Sequence, residues 1–108
     1  MAQPPELRAC ALQSLLETDP AAKTAGVAAM AAMCAAHHGG DWRVDVEAVL
    51  AAPAGIPGRP ARPELVPPRL VGRRSMATVE GRAMLVHALA HIEFNAVNLA
   101  LDALWRFP

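Results

Sequence analysis

The chain has 108 residues and a mass of 11.4 kDa, which leaves room for one small core at most. Ten Lys and Arg balance ten Asp and Glu, so the formal net charge is zero and general attraction to nucleic acid or acidic membranes is not expected. Hydrophobic residues make up 54%, too many for a disordered chain, while aromatics are 4% and Tyr is absent, a poor supply for a β-sandwich or barrel. Alanine, the best helix former, supplies 24 residues and points to an all-α fold of closely packed helices.

The chain opens Met1-Ala2-Gln3-Pro4-Pro5-Glu6, with no basic region leading into an apolar run, so no secretory leader is expected. The longest stretch without charge or His, Thr24–Ala36, has 13 residues and is short of the roughly 20 that span a bilayer. A cytoplasmic protein with neither membrane nor nucleic-acid partner is the expectation.

Residues 1–52 carry a net charge of −3 and read as an N-terminal helical segment. Leu7, Cys10, Ala11, Leu15 and Leu16 recur at three- and four-residue spacing, which predicts a helix over Leu7–Glu17. Asp19 followed by Pro20 is a helix-start signal for a second helix over Ala21–Ala36, with Val27, Met30, Met33 and Cys34 among its many alanines. His37-His38-Gly39-Gly40 suits a C-terminal turn, where imidazolium favours the helix dipole; a metal site is the sharper reading of those histidines. No CxxC exists, and antiparallel helices would carry Cys34 past the position opposite Cys10, so both thiols read as small buried hydrophobes. Asp41–Ala52 is predicted as a short third helix with Val44, Val49 and Leu50 inward; a strand over Trp42–Val46 is the alternative.

Residues 53–75 hold six of the ten prolines and a net charge of +4, which excludes helix and central strand. This connector should run extended across the helical body, with its Arg groups on acidic surface elsewhere. Pro57–Pro63 contains PxxP spacing that an SH3-type domain could read, and no aromatic is interleaved for a nucleic-acid arm.

Residues 76–108 give the clearest element. Thr78 can cap a helix and Glu80 sits in its first turn; the pattern then runs to about Trp105, some 27 residues or roughly 40 Å, before Pro108. Helices of this length in small proteins belong to bundles. On a helical wheel Val86, Leu89, Ala90, Ala96, Val97, Ala100 and Leu104 share one face, with Glu93 in its middle. A carboxylate in an apolar seam is costly unless it binds a metal, meets a buried Arg or reaches the edge. His87, His91, Asn95, Asn98 and Asp102 form a second stripe roughly opposite. His87 and His91 at i, i+4 could chelate a metal. Ala88 follows His87, so HExxH is absent. The simpler reading of this stripe is polar contact with the connector or another helix.

The run Pro57-Gly58-Arg59-Pro60-Ala61-Arg62-Pro63-Glu64-Leu65-Val66-Pro67-Pro68 is followed by Glu80-Gly81-Arg82-Ala83. His87-Ala88-Leu89-Ala90-His91-Ile92-Glu93-Phe94-Asn95-Ala96 and Leu99-Ala100-Leu101-Asp102-Ala103 complete the set. Together they resemble a bacterial ferritin-like family, a domain of unknown function, some members of which carry a rhamnosyltransferase label. The likeness covers about residues 53–107 well and the first helices loosely. It implies a four-helix bundle with a di-iron or di-manganese carboxylate centre, in which Glu93 matches the single Glu of the first bundle helix. The Glu-x-x-His pairs of such a centre would lie beyond Pro108. The resemblance therefore implies an incomplete bundle, the amino-terminal portion of a longer protein, not competent for metal chemistry alone. The sequence has no nucleotide-sugar motif and no βαβ pattern to support sugar transfer.

Two functions follow. In one, the chain supplies the first helix of a di-iron carboxylate protein, completed by C-terminal bundle helices. In the other, it is a non-catalytic helical module that associates with a second chain, or with itself, through the exposed apolar seam. A PxxP-bearing adaptor ranks below both.

Overall fold

The computed structural model describes residues 6–36, 43–67 and 75–107, and among these it contains three helices and no strands. Helix α1 spans Leu7–Leu16, α2 spans Pro20–Ala36 and α3 spans Val79–Arg106. All three lie where the sequence pattern places them. The His37–Gly40 turn lies outside the described residues.

Each helix begins at a side-chain cap. Glu6 accepts from the backbone N–H groups of Arg8 and Ala9 at 3.1 and 2.6 Å. Asp19 accepts from Ala22 N at 2.9 Å, with Pro20 at the first helical position. Thr78 Oγ1 accepts from Gly81 N at 2.9 Å and donates to the Ser75 carbonyl at 3.1 Å. Burial pushes the Glu6 carboxyl up, but hydrogen bonds from Asp45 N, Ala9 N and Arg8 N, with the Arg8 charge, bring it below its ordinary value.

The core is small: Leu7, Ala11 and Leu15 of α1, Met30 of α2, and Leu101 and Trp105 of α3. Cys10 and Cys34 are free thiols, half-buried against this cluster. The α1 pattern holds except for Leu16, which is exposed.

The expected third helix over Asp41–Ala52 is not present among its described residues, 43–52. Val44 and Val49, expected inward, are exposed; Val49 is 95% so. The backbone of this segment is used by α1 instead. Leu7 N donates to the Arg43 carbonyl at 2.9 Å beside an isolated parallel bridge between Glu6 and Arg43. The buried Arg8 guanidinium donates to the carbonyls of Asp45 at 2.6 Å, Ala48 at 2.8 Å and Trp105 at 2.9 Å. A twelve-residue helix is marginal by itself, and bonds to Arg8 and Leu7 satisfy carbonyls that a helix would have used internally.

The described part of the connector, 53–67, is extended and irregular, as its prolines require. It is pinned at Gly58, whose N–H donates to the Leu15 carbonyl at 2.7 Å. A Cβ at position 58 would land on the Leu16 and Glu17 carbonyls, so the close approach needs glycine. Gly58→Ala is expected to lower stability by about 1–3 kcal/mol through backbone displacement, read as a lower thermal midpoint in far-ultraviolet circular dichroism. An unchanged midpoint would show that the connector is not held this closely.

Candidate functional site

Lys23 is the only charged residue in α2, and its side chain is fully buried. Its ammonium donates to the Leu15 carbonyl at 3.3 Å, the Gly58 carbonyl at 2.6 Å and Asn98 Oδ1 at 2.6 Å. The Phe94 ring centroid lies 4.8 Å away, within cation–π range. One ammonium thus ties the end of α1, the connector and α3 to α2. No carboxylate pairs with it among the described residues, where the ion pair present is Arg106–Asp102 at 2.8 Å. Burial holds the Lys23 pKa below its ordinary 10.5, and the Arg59 charge adds to this, against a smaller opposing effect of Glu17.

Lys23 also fixes Asn98, because an ammonium must face the amide oxygen. The Asn98 Nδ2 is then buried without a partner, as is Trp105 Nε1. Beside it, Arg59 Nη1 donates to Asn95 Oδ1 at 2.7 Å. The expectation that connector arginines rest on acidic surface is corrected at Arg59, which meets an amide. Asn95 is what α3 turns toward the connector at that height; Glu93, on the same turn, projects to the other side of the helix.

Helix α3 therefore docks by its polar stripe. Asn98, Leu101 and Trp105 are buried, and His91, Phe94, Asn95, Val97 and Asp102 are half-buried. Polar contact with the connector and another helix, the simpler reading of that stripe, is observed at Asn95 and Asn98. Most of the seam points the other way. Val86, Leu89 and Leu104 are 65, 51 and 41% exposed and Glu93 is exposed among them, while Val97, at its edge, is half-buried against the core. From Arg82 to Ala90 every residue is exposed.

Glu93 has exposed neighbours of no ligating kind, and no group of three His, Cys, Asp or Glu able to hold a metal occurs among the described residues. His87 and His91 lie together on a different surface, a cleft of about 380 Å³ between α3 and the connector. Arg59 and Arg62 enter it from the connector, and Pro20, Pro60 and Phe94 give it apolar walls. Sequence reading missed Lys23 and Arg8, although a lone Lys in an alanine helix and a lone Arg in an apolar one were available signals.

A helical chain with this connector is matched by one family over most of its length. The chain belongs to the family described as protein of unknown function (DUF455), which matches residues 16–108. It is similar to an uncharacterized protein of Haemophilus influenzae (strain ATCC 51907 / DSM 11121 / KW20 / Rd), 62% identical over 48 residues. That match covers 44% of this chain and 17% of the relative, so the chain spans a small part of the relative's length. No solved structure matches.

Replacing Lys23 by Met strands three acceptors and should cost on the order of 3 kcal/mol in chemical denaturation. The folded-state pKa of Lys23 lies below that of the unfolded chain, so the unfolded chain binds more protons between the two values. Stability from this group is therefore gained as pH rises toward 10.5, and wild type should gain on Lys23→Met over that window. A constant difference between the two proteins would contradict the shift.

Proposed function

We propose that this chain is a scaffold on which further helices, from a longer protein of this family, pack against the outer face of α3 as a ferritin-like bundle. The observation that carries this reading is the exposed apolar seam along α3, from Val86 and Leu89 to Leu104. The 62%-identical relative is matched over only 17% of its length, so a family protein has chain to spare for such helices.

Within that bundle Glu93 is the candidate metal ligand. The described residues do not by themselves fit a di-iron or di-manganese centre, since one carboxylate supplies one ligand and none of the others converges on it. No chemistry is assigned to this chain on its own. His87 and His91, which line the connector cleft, are not part of the proposed ligand set.

A lipid environment accounts for the seam less well. Helix α3 is long and apolar enough to cross a membrane by length and composition, with a mean hydropathy of 1.3 over its most apolar stretch. Glu93 sits near its middle, however, where a bilayer penalises a carboxylate, while a helical bundle can pair or ligate it.

Val86→Asp and Leu89→Asp should leave the melting point of the 108-residue chain unchanged, because both side chains are exposed. In a longer family protein the same changes should lower it by several degrees. Equal behaviour in both would refute the packing. Glu93→Ala in the longer protein should reduce iron or manganese per chain, and unchanged metal content would defeat the ligand assignment. Association of the 108-residue chain with itself, by sizing with and without chelator, would favour the second-copy reading instead.

A further inference from the structure

The connector cleft is chemically distinct from the seam. Its volume of about 380 Å³ falls within the roughly 300–1,000 Å³ of small-molecule sites. Two arginines, Arg59 and Arg62, and two histidines, His87 and His91, line it, against one acid, Glu64. Phe94 and the prolines supply an apolar wall.

Arg59, Phe94 and the connector wall are held rather than merely adjacent, and Arg62 is exposed beside them. Arg59 is steered by its 2.7 Å bond to Asn95 Oδ1, which leaves most of its N–H donors uncommitted. Phe94 is braced from behind by the buried Lys23 ammonium, 4.8 Å from its ring. The connector wall is fixed next door, where Gly58 is bonded to both Leu15 and Lys23. His87 and His91, four residues apart, present two imidazoles from successive turns of one helix.

We propose that this cleft binds a small organic anion with a flat apolar body, its carboxylate held by Arg59 and Arg62 and its body laid along Phe94. Guanidinium groups pair with a carboxylate through charge-assisted hydrogen bonds, and the imidazoles add N–H donors that an anion can use. A cationic ligand meets two positive charges here, one of them, Arg59, held in place by Asn95. A metal ion meets no set of three ligating side chains. The site is independent of Glu93, which lies outside it.

The test uses the intact 108-residue chain and two probes, 2-naphthoate and the neutral 2-naphthamide, titrated by calorimetry. The anion should bind about tenfold more tightly than the amide. Arg62→Gln should remove most of that preference. Arg62 is exposed and makes no hydrogen bond that the fold relies on, so the variant should melt as wild type does. Leu89→Ser, on the outer face, should leave both affinities unchanged. Equal binding of the two probes, a preference that survives Arg62→Gln, or binding lost in Leu89→Ser would each overturn the site.

Discussion

The structure depends on the burial of one ammonium group. Lys23 is sunk completely between three segments and has no carboxylate partner among the described residues. Its charge is met by two backbone carbonyls, one amide oxygen and the face of Phe94. Burying a cation is costly unless its donors are filled, and here all three ammonium donors are used. That requirement dictates the neighbours. The connector must bring Gly58 to the end of α1, because only a glycine can come so near the Leu16 carbonyl. Helix α3 must turn Asn98 inward.

Arg8 repeats the device at the other end of α1. Its guanidinium gathers carbonyls from Asp45, Ala48 and the last turn of α3. Irregular chain and helix ends both leave carbonyls that no ladder satisfies. Two buried cations on α1 and α2 collect them, and so substitute for part of what a core of six hydrophobic residues does not supply. This also explains the orientation of α3. Its amide-bearing stripe answers the cations and faces in, and its aliphatic stripe is left outside.

The helices were legible because their signals are local. Asp19-Pro20, Thr78 and the spacing of Leu7, Ala11 and Leu15 act within a turn or two of the backbone. The use of α3 was only partly legible. A helical wheel identifies two faces of opposite character, but hydrophobicity alone assigns the aliphatic one to the core. Knowing otherwise required knowing that Lys23 is buried, which is a tertiary fact carried by residues 35 and 75 positions away. Residues 43–52 failed for the same reason: their apolar spacing suits a short helix, but Arg8 and Leu7 claim their backbone. The Glu93 and His87–His91 sites were readable as candidates from residue type. That they lie on separate surfaces follows from the wheel, and that His87 and His91 share a cleft with Arg59 and Arg62 could only come from the path of the connector.

These constraints give α3 two exposed surfaces of different chemistry. Toward its C-terminal half the inner stripe is committed to Lys23, Arg59 and Arg8, which fixes the rotation of the whole helix because it is continuous from Val79 to Arg106. Rotation set at Asn98 and Trp105 then determines where residues five to eighteen positions earlier must point. His87 and His91 are carried to the connector side, and Leu89 and Glu93 to the open side. A helix anchored toward one end and exposed from Arg82 to Ala90 leaves that stretch outside its own core. The cleft and the seam are thus coupled through a single angle, and the residue that sets it is Asn98, held by Lys23.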